Sequence, residues 1–275
     1  MFNQLTPAVK TFLLLNLGVF VLCIFIYNTT GIDVNDILGL RYVGSSSFQP
    51  YQFVTYMFLH AYIGGMGGLS FTHIFSNMFA LFMFGPMLEN FWGTKRFIIF
   101  YMVTGIGAGM INSGVTYYEK YQLQSAISQY VENPTPDNMA TFLRNHSNTY
   151  VYERVLDFVN TFEEYKNDPK IIEQSKEIIR SFYRPDAGVT VGASGAIFGI
   201  LIAFGLLFPN SEMFILFIPF PIKAKYLVGF YALYEIYAGV EKASGDNVAH
   251  FAHIGGMIVG FVLVKYWNSK RDRFY

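Results

Sequence analysis

The sequence predicts an all-α polytopic membrane protein in which six helices cross the bilayer. Of its 275 residues, 53% are hydrophobic and only 14% are charged, whereas a soluble domain carries about a quarter charged residues. A membrane helix needs roughly 20 mostly apolar residues, and runs of that kind recur along the chain. They lie near residues 9–27, 71–89, 96–113, 188–208, 224–240 and 248–267.

The first apolar run is predicted to be a retained anchor, because no small-residue cleavage site of a signal peptide follows Tyr27. Six spans place both termini on the same side of the membrane. If that side is the cytoplasm, the short inner connections carry nine Lys or Arg residues and the short outer ones carry two, Arg41 and Lys242. This asymmetry follows the positive-inside rule, so both termini are predicted to be cytoplasmic.

The segment 115–187 differs in composition from the apolar runs, with eleven acidic and eight basic residues. Apolar residues spaced three to four apart over 151–165 and 171–182 predict helices there. The chain is therefore expected to have three parts: a membrane core in 1–114 with three spans and a long first loop, a helical extramembrane insert in 115–187, and further membrane core in 188–275 with three spans. The insert could be a solvated spacer, or it could bind a partner or substrate.

Charge and cysteine content narrow the function classes. The formal net charge is zero, which gives no electrostatic signal for nucleic-acid binding. The single cysteine, Cys23, has no partner for an internal disulfide. Four histidines (His60, His73, His250 and His253) are of the residue type that binds zinc, but the sequence has no HExxH motif and no thiolate cluster. Neither a metal nor another cofactor is predicted.

Polar side chains near the starts of three spans are candidates for function, because such groups are costly in a membrane. In the predicted topology the second, fourth and sixth spans run in the same direction, so depths can be compared at 1.5 Å per residue. Ser194 in the fourth span, His253 in the sixth, and His73 and Asn77 in the second then fall at a similar level in the outer leaflet.

Glycines are predicted to bring the fourth and sixth spans together. Two pairs, each four residues apart, follow the candidate residues: Gly195 and Gly199 after Ser194, and Gly256 and Gly260 after His253. Small residues at this spacing let membrane helices pack backbone to backbone. At 100° per residue, His253 faces this seam and His250 lies at its edge.

A serine beside a histidine predicts acyl-transfer chemistry, because a neighbouring base turns the hydroxyl into a nucleophile. His73 and Asn77 are four residues apart and share a helix face, so with the backbone N–H of Ser194 they are candidates for an oxyanion hole. No Asp or Glu lies near His253 in its own span, and Asp246 at the loop end is expected to be too shallow. A Ser–His dyad is therefore expected.

Three segments resemble the signature motifs of the rhomboid intramembrane serine proteases: HIFSN at 73–77, GASGAIFG at 192–199 and AHIGGMIVG at 252–260. The resemblance covers about 5–113 and 188–270 and implies a six-span rhomboid-like bundle. It also implies Ser194 as nucleophile, His253 as general base, and His73 and Asn77 as oxyanion donors. The expected partners are the lipid bilayer and transmembrane protein substrates, which are cleaved without a cofactor.

The resemblance carries expectations for further residues. Gly192 belongs to the serine motif and is expected to serve helix packing near the site. Phe198 stands where a tyrosine is common in the family, so its ring is expected to stack on His253. Glu89 matches a polar residue at the inner end of the second span, where a structural role is expected. The first loop departs from the family, with PYQF at 50–53 where many bacterial members carry a Trp-Arg pair. The predicted location is the bacterial cytoplasmic membrane.

Two other functions are consistent with a membrane bundle. A catalytically silent relative would bind membrane clients, although Ser194 and His253 are intact here. A small-solute transporter is expected to show broken helices in repeated halves, and no internal repeat is evident. The sequence indicates neither the substrate nor the oligomeric state.

Overall fold

The computed structural model describes residues 5–62, 70–213, 221–241 and 248–271, and helices predominate in them. The chain divides into two compact units. The first, called the core unit here, comprises Met1–Val43, Ser47–Gly114 and Gly188–Tyr275. The second, called the insert unit, comprises Gly44–Ser46 and Val115–Ala187.

Long helices dominate the core unit. In chain order its elements are α1 (Pro7–Thr30), α2 (Val34–Leu38), α3 (Gln52–Thr55), a 3-10 turn (Tyr56–Phe58), α4 (Thr72–Trp92) and the first part of α5 (Thr94–Glu132); after the insert unit come α9 (Ser194–Leu207), the two-residue strands β1 (Glu212–Met213) and β2 (Ile222–Lys223), α10 (Ala224–Glu241) and α11 (His250–Arg271). The strands pair antiparallel, with Glu212 opposite Lys223.

Two helices differ from the predicted spans. Helix α5 continues to Glu132 because no glycine or proline interrupts 115–132, and it ends just before Pro134, since proline disfavours a helical residue before it. Helix α9 begins at Ser194 rather than near 188. Gly188 and Gly192 have positive φ angles of 83° and 135°, which keep the segment 188–193 out of the helix.

Apolar surface marks the core unit. Among the described residues, α1 and α5 are long and apolar enough to cross a membrane by length and composition, and α9 is a shorter apolar helix. Large apolar side chains also stand exposed on other helices, with Phe75 of α4 at 69% and Val240 of α10 at 75%. Many large exposed apolar side chains are unusual on soluble monomers and typical of contact with lipid or another protein.

A buried carboxylate joins three helices at one end of the core unit. Glu89 of α4 accepts hydrogen bonds from the backbone N–H groups of Ala8 (2.9 Å) and Val9 (2.9 Å) in the first turn of α1, and from the hydroxyl of Thr94 (2.7 Å) at the start of α5. The first N–H groups of a helix have no intrahelical acceptor. Glu89 therefore acts as the cap of α1, which agrees with the structural role expected for it.

The insert unit has its own hydrophobic core. Besides the end of α5 it contains α6 (Pro136–His146), α7 (Thr149–Glu164) and α8 (Pro169–Arg180). The side chains of Thr135, Asn148 and Asp168 cap the N-termini of these three helices, which explains where each begins. Their apolar faces pack around buried side chains that include Met139, Leu143, Phe162 and Ile179.

Candidate active site

The segment before α9 is held by the first loop. Leu40 and Thr190 form an isolated β-bridge, with both N–H···O distances at 2.9 Å, and the N–H of Gly192 donates to the carbonyl of Tyr56 at 2.9 Å. These three bonds satisfy backbone groups that a helix would otherwise use. The first loop thus fixes the point at which α9 begins.

Ser194 is the first residue of α9. The N–H groups in the first turn of a helix have no intrahelical acceptor, and the helix dipole makes this end favourable for negative charge. The hydroxyl and an anion-binding backbone N–H therefore belong to the same residue. The predicted start of this helix near residue 188 was wrong, because the residues directly before Ser194 are not helical.

His73, the second residue of α4, has a defined tautomer. The backbone N–H of Ala61 donates to its Nδ1 at 3.3 Å. Because Nδ1 accepts, the neutral ring carries its proton on Nε2. That Nε2 lies close to Gly192: a Cβ atom built there would lie 2.8 Å from His73 Nε2, too close for a side chain, and 3.5 Å from Ser194 Oγ. Gly192, which precedes α9 and so does not serve the helix packing expected of it, thus lets a donor and the serine hydroxyl come close to the same point.

Asn77 lies one turn after His73 and is buried. Its Nδ2 donates to the carbonyl oxygen of His73 at 3.0 Å. A carboxamide has two N–H groups, so this bond orients the side chain while using one of them. The two residues share one face of α4, as their spacing predicts.

The glycine seam brings the backbones of α9 and α11 into contact. A Cβ atom at Gly256 would overlap the carbonyl oxygen of Gly195, and one at Gly260 would lie 3.0 Å from the Cα of Gly199. Each glycine of α11 therefore faces the matching glycine of α9. Since Ser194 directly precedes Gly195, this contact sets the height at which α11 meets the serine.

His253 lies over the face of α9 that carries the serine. Its ring stacks on Phe198 with a centroid distance of 4.1 Å and an interplanar angle of 15°. Phe198 is four residues after Ser194, so the two share a helix face. This is the stacking that the family resemblance implies for Phe198. The ring of Phe198 stacks in turn on Tyr231 of α10 at 5.2 Å.

A carboxylate from another helix reaches His253, which corrects the expectation of a bare dyad. Glu235 of α10 places Oε2 2.9 Å from Nδ1 of His253 and 2.6 Å from Nδ1 of His250. Asp246, the nearest acidic residue in sequence before His253, lies outside the described residues. The missed signal was an ionisable residue within the apolar run 224–240, which is a functional candidate by its position alone.

The four histidines considered as metal ligands form two separate pairs. His60 packs edge to face on His73 with ring centroids 5.1 Å apart. Burial lowers the pKa of His60, which lies in the first loop, to about 3, so this ring is neutral. His250 and His253 share Glu235, and the ligand-type atoms of these three lie within 4.8 Å of one another, a set that could also hold a metal ion.

The comparison with protein families agrees with these features. The model of the Rhomboid domain matches residues 47–125 and 174–269. The matched regions hold Ser194, His253, His73 and Asn77, and they leave out the middle of the insert unit. No curated protein matches the chain. Because the domain match covers more than half of the sequence, the chain belongs to the rhomboid family.

Proposed function

We propose that this protein is an intramembrane serine endopeptidase that cleaves the transmembrane segments of other membrane proteins. Rhomboid proteins are polytopic membrane proteins, and the family includes serine proteases. In the proposed topology the crossing elements are α1, α4, the first part of α5, α9, α10 and α11, with both termini in the cytoplasm of a bacterial cell. The insert unit is an extramembrane domain between the third and fourth spans.

In the first step the hydroxyl of Ser194 attacks the carbonyl carbon of the scissile peptide bond. Nε2 of His253 takes the hydroxyl proton, as a general base must for serine to become nucleophilic. The carbonyl oxygen becomes an oxyanion, which receives hydrogen bonds from the backbone N–H of Ser194, Nε2–H of His73 and the second N–H of Asn77.

Collapse of the tetrahedral intermediate breaks the peptide C–N bond. The imidazolium of His253 gives its proton to the leaving amine, and Ser194 is left as an acyl ester. A water molecule then attacks the ester, again with His253 as base, and releases the second product. Both steps use the same oxyanion donors and need no cofactor.

The observation that carries the proposal is the close approach of His73 and Ser194 at Gly192. The serine hydroxyl and the Nε2 of His73 lie 3.5 and 2.8 Å from the position that a Cβ of residue 192 would take, and Ala61 keeps the donor proton on Nε2. Close packing of α9 would need small residues in the seam. Close packing would not need a positive-φ glycine such as Gly192 beside a histidine donor at the N-terminus of α9.

The test is cleavage of a transmembrane reporter protein by the purified protein in liposomes. We expect Ser194→Ala to abolish cleavage. Ser269 is an exposed serine near the C-terminus of α11, and the control variant Ser269→Ala should retain cleavage. Cleavage that persists in Ser194→Ala would contradict the assignment of the nucleophile.

A fluorophosphonate probe separates an active enzyme from a silent relative. We expect Ser194 to be labelled in the wild type and not in Ser194→Ala. If the wild type neither cleaves nor is labelled, the protease proposal is wrong and the client-binding alternative is favoured.

A further inference from the structure

We propose that Glu235 completes a catalytic triad with Ser194 and His253, and that it acts as a positioning residue on His253. This inference rests on the proposed function. Glu235 projects from α10, not from either helix that carries the reacting pair, and its side chain is almost fully buried. Its Oε2 lies 2.9 Å from Nδ1 of His253.

This contact decides which nitrogen of His253 carries the proton. An ionised carboxylate only accepts hydrogen bonds, so the neutral ring bonded to Glu235 has its proton on Nδ1. The lone pair is then on Nε2, the nitrogen that must receive the proton of Ser194. His73 has the opposite tautomer, with its proton on Nε2, because the N–H of Ala61 occupies Nδ1. Each imidazole is therefore fixed in the form that its proposed role requires.

The same carboxylate stabilises the charge that develops on His253. During attack the ring becomes an imidazolium, and a carboxylate at 2.9 Å in a water-poor site interacts with it far more strongly than it would in water. In serine proteases with a buried aspartate in this place, the acid both orients the histidine and stabilises the imidazolium. The geometry assigns these two tasks to Glu235.

His250 explains how the carboxylate is held in place. Its Nδ1 lies 2.6 Å from the same Oε2, and a carboxylate oxygen has two lone pairs, enough for two donors. The ring planes of His250 and His253 are nearly perpendicular, at 83°. Two N–H donors thus solvate a buried negative charge that would otherwise be costly.

Helix α10 also fixes the plane of the His253 ring. Tyr231, one turn before Glu235, stacks on Phe198 at an interplanar angle of 9°, and Phe198 stacks on His253 at 15°. The hydrogen bond sets the rotation of the ring within its plane, and the stack sets the plane itself. The hydrogen bond comes from α10 directly, and the stack connects α10 to His253 through Phe198 of α9.

The test compares two glutamates that are both 2% exposed, Glu235 and Glu89. Both accept hydrogen bonds that join helices, but only Glu235 touches His253. We expect Glu235→Gln to lower kcat by on the order of 10⁴-fold with KM changed less than about threefold. Glu89→Gln, normalised to folded protein, is expected to keep kcat within about twofold. Equal kcat values for the two variants would mean that Glu235 is only a structural clamp, and would overturn the inference.

Glu235→Asp supplies a second measurement. It keeps the charge but is one methylene shorter, so kcat is expected to lie at least tenfold below the wild type and tenfold above Glu235→Gln. If Glu235→Gln does not fold, the aspartate variant decides alone, and a kcat equal to the wild type would overturn the inference.

Further outcomes separate the possible failures. A wild type that neither cleaves nor reacts with fluorophosphonate at Ser194 would overturn both proposals. Active wild type with fully active Glu235→Gln would overturn this one alone. Zinc added by itself gives a third test. Stoichiometric zinc binding that inhibits cleavage by the wild type and is absent in Glu235→Gln would indicate a metal site in place of the hydrogen-bonded triad.

Discussion

Gly192→Ala is the substitution that most directly tests the proposed oxyanion site. The new methyl group would lie 2.8 Å from Nε2 of His73 and 3.5 Å from Oγ of Ser194. Ordinary carbon contacts are about 3.5–4.0 Å, so the methyl must displace the imidazole by roughly 0.7 Å or more. Displacing this ring moves the Nε2 donor away from the position in which it would stabilise the oxyanion.

Two costs are expected, and a matched control separates them. An alanine at a φ of 135° strains the backbone by about 1–3 kcal/mol, which lowers the free energy of unfolding. Gly188→Ala carries the same kind of strain at a φ of 83°, but its Cβ would meet nothing within 4 Å. Both variants should therefore lose stability, and only Gly192→Ala should lose catalysis.

The magnitude follows from the loss of one oxyanion donor, which lowers kcat by about 10²- to 10³-fold. The assay measures kcat on the reporter substrate per folded enzyme in liposomes, together with thermal unfolding of both variants. If Gly192→Ala keeps kcat within about twofold of Gly188→Ala, the His73 imidazole beside Gly192 is not an oxyanion donor and the site has been misassigned.

The remaining predictions concern stability. Gly256→Ala is expected to lower the Tm clearly, because its Cβ would overlap the carbonyl oxygen of Gly195. The control Gly18→Ala lies in open space on α1 and should leave the Tm unchanged or slightly higher. Equal Tm values for the two variants would contradict the glycine contact between α9 and α11. Glu89→Gln should lower the free energy of unfolding by about 1–3 kcal/mol, because its NH₂ group would face a backbone N–H donor. Thr94→Val removes only one of the three hydrogen bonds to Glu89 and should lower the free energy of unfolding by less. A larger loss in Thr94→Val than in Glu89→Gln would contradict the role of Glu89 as the cap of α1. In the insert unit the partly exposed ring of His146 packs on Phe142, and this partial desolvation lowers its pKa, so the unfolded state binds a proton more readily. The contribution of His146 to the stability of α6 should be fully present above about pH 6.5 and decrease as the pH falls below that value. Hydrogen exchange of the α6 amides at pH 7.5 and 5.5 measures this. The same loss of protection between the two pH values in His146→Phe would contradict the prediction.

The apolar runs predict most of the core-unit helices well. The bounds of α1, α4, α10 and α11 lie within four residues of the predicted spans, because length and hydrophobicity are local properties of the sequence. The start of α9 is different, since it depends on bonds to Leu40 and Tyr56. Those partners are more than 130 residues away in the chain, and no local pattern reports them.

Local spacing also predicts some relations in the site and misses others. The pairing of Gly195 with Gly256 follows from two four-residue repeats, and the shared face of His73 and Asn77 follows from helical periodicity. Glu235 was missed because its partners are on α11, 15 and 18 residues away across a helix end. In sequence it is one carboxylate among the aromatic residues of α10, and only packing shows which histidines it meets.

The position of Ser194 at the start of a helix links the fold to the proposed chemistry. Unpaired N–H groups are costly in an apolar interior, and the first turn of α9 has them by necessity. During the reaction the oxyanion would accept a hydrogen bond from the backbone N–H of Ser194. This N–H has no intrahelical acceptor before the attack and gains an acceptor as the charge forms. A serine in the middle of a helix could not offer this, because its N–H would already be bonded to a carbonyl four residues earlier. The non-helical segment 188–193 and its positive-φ glycines are therefore requirements of the proposed mechanism as much as features of the fold.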